Sequence, residues 1–171
     1  MSEHQARLRM LIAEAVHDAV CTFTQSDGFG LCHLYAVAGY TLLTQMAGPQ
    51  WTMHAGSMWL AADPPDGWCY FNAGRPHAFE RGDFHCWLVQ HGPAKGDPPA
   101  ACVDFTARHF RRWVEQSADG GGWGAGVRLP WTHTEEPPPY VWTTAASPLS
   151  ARVALYPCAP RPLRALTGAP V

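Results

Sequence analysis

The segment at residues 31–47 restricts the folds available to this chain because it is apolar on nearly every side. Its helical run starts near Leu31 and Cys32 and continues through the apolar positions Ala36, Val37, Tyr40 and Leu43. Gly48 and Pro49 then end the run, with glycine as the C-cap and proline just beyond it. A helix that is hydrophobic all round must be covered by other elements. The segment therefore predicts a central buried helix.

Residues 2–24 form the clearest amphipathic pattern. Ser2 and Gln5 fit a capping box, which satisfies backbone donors at the start of a helix. Apolar residues then recur at three- and four-residue steps, at Leu8, Leu11, Ile12, Ala15, Val16, Ala19, Val20 and Phe23. One apolar stripe predicts a helix that docks on the core through one face.

After residue 50 the pattern becomes typical of strands. The strand candidates are Trp51–Ala62, Trp68–Asn72, Phe84–His91 and Ala101–Thr106, with shorter ones at Tyr140–Thr144 and Val153–Tyr156. Gly- and Pro-rich turns separate the first strand from the second, at 63–67, and the third from the fourth, at 92–99. Another helical run is predicted at Arg108–Gln116. Helices followed by antiparallel strands predict an α+β fold with the helices packed on a sheet.

The length and composition exclude several classes of protein. A chain of 171 residues favours one domain, which we place at residues 1–156, followed by a Pro-rich surface tail at 157–171. Twelve Lys and Arg against fourteen Asp and Glu give a net charge of -2, so there is no basic field for nucleic acid. No apolar stretch approaches the ~20 residues that a membrane helix needs. The polar N-terminus does not resemble an export signal, so we expect a cytoplasmic protein without membrane partners. The sequence does not indicate its oligomeric state.

Cys32 is the candidate nucleophile among six cysteines, most of which we expect to be reduced. It follows a glycine-containing loop and begins the most apolar helix. The unpaired N–H groups and the positive end of the helix dipole stabilise a thiolate there. The alternative for any buried cysteine is a small hydrophobic residue of the core, and this is the interpretation we favour for Cys21, Cys69, Cys86 and Cys102.

His85 and Asp104 are the candidate partners of this thiol. If their two strands pair antiparallel, the loop between them brings Asp104 beside His85. The carboxylate would then orient the imidazole, and the order Cys, His, Asp is that of a nucleophile, a base and an orienting acid. The alternatives are a structural histidine and an aspartate that caps the helix predicted near Ala107. His33 adjoins Cys32, but neighbours on a helix point in different directions, so we do not expect it to be the base.

Two further residues complete the predicted site. Gln25 lies seven residues before Cys32 and, with the Cys32 backbone N–H, could donate to an oxyanion. Trp87 shares the strand face of His85 and is a candidate for lining a substrate groove. No pair of Cys or His has the spacing typical of zinc, so we predict no metal and no cofactor, with a zinc domain as the alternative.

Three segments together resemble the core motifs of the papain-like and transglutaminase-like cysteine-enzyme superfamily. They are Gly30-Leu31-Cys32-His33-Leu34-Tyr35-Ala36, Phe84-His85-Cys86-Trp87-Leu88-Val89 and Val103-Asp104-Phe105-Thr106. The resemblance covers about residues 25–106 and implies a central helix packed on an antiparallel sheet, with thioester chemistry at Cys32. Cys86 departs from the small residue that often follows the histidine in that superfamily.

The sequence therefore predicts a thiol-dependent hydrolase, acting as a peptidase, amidase or deamidase on a peptide or other amide. Cys32 would attack the carbonyl, His85 would transfer the proton and Asp104 would orient His85. The alternatives are an acyl transferase that uses the same triad and a binding module that keeps the fold without turnover.

Overall fold

A computed structural model describes residues 2–48, 50–60, 68–71, 77–92, 100–110, 112–113, 139–143 and 153–157. In chain order the elements are α1 (Glu3–Thr24), α2 (Cys32–Ala47), β1 (Trp51–Leu60), β2 (Trp68–Phe71), α3 (Ala78–Arg81), β3 (His85–Gln90), β4 (Ala101–Asp104), a 3₁₀ turn (Ala107–His109), β5 (Val141–Thr143) and β6 (Val153–Pro157). The predicted α+β class is confirmed, with two long helices against an antiparallel sheet.

Helix α1 begins as its sequence predicts. The Gln5 backbone N–H donates to Ser2 Oγ at 3.2 Å, and the Ser2 backbone N–H donates to Gln5 Oε1 at 3.2 Å. These reciprocal bonds satisfy donors that have no partner within the helix. The buried residues of α1 lie on one stripe, at Ile12, Ala13, Val16 and Val20, and α1 packs on α2 through this stripe.

Helix α2 is the central helix, because α1 covers one side and β3 the other. Its close approach to the sheet depends on Gly39. A Cβ atom at this position would lie 2.5 Å from Phe105 Cε2 and 3.0 Å from Leu88 Cδ1. Gly48 ends the helix as predicted, and its backbone N–H donates to Thr44 O at 3.0 Å.

Within the described residues, six strands form one sheet in the order β2-β1-β3-β4-β5, with β6 also paired to β1. The register of β1 against β3 runs from Trp51↔Gln90 to Gly56↔His85. The register of β3 against β4 includes Leu88↔Val103. All these pairings are antiparallel, and Leu88 and Val103 are both completely buried between the sheet and the helices. The core therefore lies where β3 and β4 face α2.

The structure differs from the sequence predictions mainly at element ends. A 3₁₀ turn at Ala107–His109 replaces the predicted start of a helix at Arg108. The short helix Ala78–Arg81 was not predicted, because four residues carry no helical period. Strand β6 ends at Pro157, the first residue of the predicted tail, and residues 158–171 lie outside the described part of the chain.

Among the described residues, none of the helices has the combination of length and apolar character that crossing a membrane requires.

Candidate active site

Cys32 is the first residue of α2, as predicted, and its side chain is 8% exposed. The preceding residue, Leu31, supplies no side-chain cap, so the first backbone N–H groups of the helix are not capped by it. The sulfur approaches the start of β3, with Sγ 3.8 Å from the carbonyl oxygen of Phe84. The nucleophile candidate therefore lies at the junction of the central helix and the central strand.

The loop that leads into Cys32 is held by contacts from both sides. Gly28 has φ +77°, and a Cβ atom there would overlap the Tyr35 hydroxyl, so only glycine fits this turn. The Leu31 backbone N–H donates to Gly28 O at 3.2 Å. Arg112 binds the Asp27 carboxylate, and its guanidinium carbon lies 4.1 Å from the centroid of the Phe29 ring. These contacts fix the position from which α2 starts.

His85 and Asp104 are in direct contact. The register of β3 and β4 places Asp104 diagonally from His85 on the same sheet face, and His85 Nε2 lies 2.6 Å from Asp104 Oδ2. Both side chains are almost fully buried, at 2% and 1% exposed. The predicted pairing of the two strands is thus confirmed, and it brings the histidine and the carboxylate together.

Asp104 is itself held by Thr106. Its Oδ1 atom accepts a hydrogen bond from the Thr106 backbone N–H at 2.8 Å and another from the Thr106 hydroxyl at 2.6 Å. The N-cap of the following 3₁₀ turn is Thr106 rather than Asp104. Asp104 therefore does not cap the next helix; one oxygen binds the turn while the other binds His85.

These contacts determine the charges of the site. A hydrogen bond with Cys86 holds the pKa of the Cys32 thiol well below its ordinary value, and His33 and His85 act in the same direction against burial. Burial lowers the pKa of His85, but Asp104 and Cys32 outweigh burial and raise it to about 10. Because Nε2 is engaged with Asp104, Nδ1 is the ring nitrogen that remains for Cys32. The favoured state at neutral pH is a thiolate beside an imidazolium.

Two neighbours of the sulfur were not predicted. Cys86 was interpreted as a core residue, and it is buried, but its thiol also hydrogen-bonds to Cys32. His33 is exposed and hydrogen-bonds to Cys32, which raises the pKa of His33.

Trp87 lies inside the protein rather than along a groove. Its side chain is 2% exposed, since β3 is a central strand with neighbours on both edges. Its ring stacks on His85 with centroids 6.4 Å apart and on His54 with centroids 6.1 Å apart. Trp87 therefore packs beside the His85 ring, and the structure does not match the expectation that this residue lines a substrate groove.

Gln25 ends α1 in the left-handed conformation, with φ 52°. Its side-chain Nε2 donates to Thr22 O at 2.6 Å, and the contact is exposed. A left-handed C-cap turns the side chain back along its own helix, which explains this bond. The predicted oxyanion role would require the amide to leave the Thr22 carbonyl, so the geometry gives it no support.

His17, Tyr35 and His109 form a second polar cluster in addition to the triad residues. The Tyr35 hydroxyl is 2.6 Å from His17 Nδ1 and 3.0 Å from His109 Nε2. Cys21, predicted as a core residue, is only partly buried, and its sulfur lies 3.6 Å from His17 Nδ1. Burial, followed by the charge of His17, lowers the pKa of His109 to about 4. The cluster joins α1, α2 and the 3₁₀ turn.

Across the parts of the chain that the structure describes, no three His, Cys, Asp or Glu side chains are grouped so that they could hold a metal ion.

Comparisons with known proteins do not assign a family. No protein-family model matches the chain, and no curated protein matches it. A solved structure described as the crystal structure of genomics APC5867 aligns with 84% of this chain and 67% of its own chain, at 10% sequence identity and a TM-score of 0.44. A similarity of this strength carries no argument about family or function.

Proposed function

We propose that this protein is a thiol-dependent hydrolase that cleaves an amide bond through a Cys32–His85–Asp104 triad. The observation that carries the proposal is the buried 2.6 Å contact between His85 Nε2 and Asp104 Oδ2, next to a cysteine at a helix N-terminus. A buried ion pair is costly unless it is well bonded. Its presence beside a thiol at a helix start favours a chemical role over a packing role.

The first half of the reaction forms a thioester. The Cys32 thiolate attacks the carbonyl carbon, and the C=O π electrons move to the oxygen. When the tetrahedral intermediate collapses, the C–N bond breaks and the imidazolium of His85 gives its proton to the leaving nitrogen. Asp104 keeps the ring oriented and stabilises its cationic form, while Thr106 holds the carboxylate.

The second half releases the acyl group. Neutral His85 removes a proton from water, the oxygen attacks the thioester carbonyl, and the C–S bond breaks to regenerate the thiolate. The backbone N–H of Cys32 is the oxyanion donor in this scheme, because the helix start supplies unpaired N–H groups. An amine in place of water would make the product of an acyl transfer, so the acceptor determines which reaction is observed.

The papain-like or transglutaminase-like core belongs to the same proposal. The support is the order of the elements: a buried helix headed by Cys32, then His85 at the start of β3 and Asp104 at the end of β4. Cytoplasmic location, a peptide or amide substrate, and the absence of nucleic-acid partners stay predictions alongside it.

Selective alkylation tests the proposal without knowledge of the substrate. The full chain is treated with limiting iodoacetamide at pH 6, and the modified peptides are identified by mass spectrometry. We expect label at Cys32 alone, because its pKa is lowered, whereas burial raises the pKa of Cys21 and the contact with Cys32 raises that of Cys86. His85→Ala should reduce labelling of Cys32 at least about tenfold, since the thiol loses the imidazolium that stabilises its charge.

His33→Ala is the matched control, because His33 also contacts the sulfur but is exposed. We expect it to retain most of the labelling. Equal losses in the two variants would remove His85 from its assigned role. If all cysteines were labelled equally, and only at alkaline pH, Cys32 would not be unusually reactive and the proposed nucleophile would be wrong. Hydrolysis of activated esters and anilides, with Cys32→Ser as the blank, then separates a working hydrolase from a binding module.

A further inference from the structure

Cys32 and Cys86 lie in the same part of the core. They are 8% and 9% exposed and belong to the same hydrophobic cluster between α2 and β3. Cys86 lies on the same face of β3 as Leu88, and Leu88 packs against α2 at Gly39. The 3.8 Å contact from Cys32 Sγ to Phe84 O independently places this sulfur over the start of β3, two residues before Cys86.

Amide cleavage gives Cys86 no role. A small apolar residue would fill the same space, whereas a thiol that donates to the thiolate withdraws electron density from the nucleophile. Cys86 also follows His85 directly, so its position relative to the triad is fixed by the strand. A second thiol beside a reactive one therefore has a chemical consequence of its own.

We propose that Cys32 and Cys86 form a reversible oxidation site whose oxidant is a hydroperoxide. The inference rests on the reactive Cys32 thiol of the proposed function. The Cys32 thiolate attacks one peroxide oxygen, an S–O bond forms and the O–O bond breaks. The departing oxygen takes the proton of His85, and Cys32 becomes a sulfenic acid, oxidised by two electrons.

The second step closes a disulfide. The Cys86 sulfur attacks the Cys32 sulfur, the S–S bond forms and the S–O bond breaks. The hydroxide that leaves takes the proton of Cys86 and departs as water. An added dithiol reverses the step by thiol–disulfide exchange.

The order of these steps follows from the two environments. The hydrogen bond with Cys32, together with burial, raises the pKa of Cys86, so Cys86 remains the protonated thiol of the pair. The thiolate is the form that reacts with peroxides, so Cys32 is oxidised first and Cys86 resolves the product. The disulfide removes the nucleophile reversibly and protects it from oxidation to the sulfinic acid.

The test uses the reduced full chain with one equivalent of hydrogen peroxide, followed by non-reducing peptide mass spectrometry. We expect loss of two hydrogens, a cross-linked peptide pair that contains Cys32 and Cys86, and loss of iodoacetamide labelling at pH 6. Dithiothreitol should restore the labelling. When dimedone is added with the peroxide, Cys86→Ser should instead give a dimedone adduct at Cys32. With more peroxide and no dimedone, this variant should give a sulfinic acid that dithiothreitol does not reverse.

Cys102→Ser is the control, since it removes a thiol from the neighbouring strand β4 and should behave as the wild type. A Cys86→Ala variant repeats the test if the serine variant does not fold. The inference is overturned if wild type and both Cys86 variants give the same oxidation products. A disulfide in a protein without amide-cleaving activity supports the oxidation site and removes only the hydrolase. Amide-cleaving activity in a protein whose Cys86 stays reduced after peroxide treatment supports the hydrolase and overturns the oxidation site.

Discussion

At the scale of single residues, the charge on the Cys32 sulfur determines what the site can do. The lowered pKa of Cys32 means that the thiolate persists as pH falls below neutrality, and the raised pKa of His85 means that the imidazolium persists as pH rises toward about 10. Thiolate absorbance in the ultraviolet, measured as wild type minus Cys32→Ser, should therefore be present at pH 6. In His85→Ala the titration should move up toward the ordinary cysteine value of about 8.5. An unchanged titration in that variant would show that the imidazole does not stabilise the thiolate.

Substitution of Asp104 should lower the free energy of unfolding strongly. Asp104→Asn leaves the His85 imidazolium buried without its carboxylate, and removal of one partner from a buried ion pair costs about 3–5 kcal/mol. Thr106→Val removes only the hydroxyl bond to Oδ1 and keeps the backbone bond, so we expect a loss of about 1–2 kcal/mol. Urea denaturation at pH 7 measures both values. Equal losses in the two variants would contradict a role for the charge.

At the scale of elements, the contact of α2 with the sheet depends on the absence of a side chain at Gly39. Alanine would raise helix propensity by about 1 kcal/mol, but its methyl group would overlap Phe105 and Leu88. We expect Gly39→Ala to destabilise the protein by about 1–3 kcal/mol overall, as overpacking does. Phe105→Leu in the same chain should recover part of the loss, whereas Val37→Ala on the exposed face is the control. A stabilised Gly39→Ala would mean that the helix and sheet are not in close contact here.

The elements also divide into those that the sequence could predict and those that it could not. The helical period and the caps at Ser2 and Gly48 determine α1 and α2, because both signals are local. The return of β6 to pair with β1 has no local signal, since the partner lies almost a hundred positions away. Alternation on β3 predicts which side chains share a face with His85, but not which element covers that face. Trp87 was therefore expected at a groove, although the structure buries it.

The contacts of the candidate site also divide into those that the sequence could predict and those that it could not. His85 and Asp104 were predictable as a pair because one loop connects their strands, so a single antiparallel pairing brings them together. Cys86, on the opposite face of β3, meets Cys32 only because α2 begins over that end of the strand. Contacts of this kind depend on how a helix is placed on a sheet, which periodicity does not specify.

At the scale of the whole molecule, the His17–Tyr35–His109 cluster links the helices to the segment that carries the acid of the triad. His109 follows Asp104 through the 3₁₀ turn, and its backbone N–H donates to Thr106 O at 2.9 Å. Thr106 in turn binds Asp104. Loss of the cluster should therefore weaken the packing of α1 and α2 and also the support of the Asp104 carboxylate.

Acid should produce this loss, and the sign follows from the pKa of His109. Its folded value of about 4 lies below the value of 6.5 for the unfolded chain, so as pH falls through this window the unfolded state binds a proton that the folded state does not. Stability should decline by up to about 1.4 kcal/mol per pH unit for this group. His109→Gln should lower stability at pH 7 by about 1 kcal/mol but reduce the slope, because glutamine keeps a polar partner for Tyr35 without titrating. Urea denaturation at pH 7, 6 and 5 measures the slope, with His4→Gln on the exposed end of α1 as the control. If His109→Gln kept the wild-type slope, the acid sensitivity would have to arise from a titratable group other than His109.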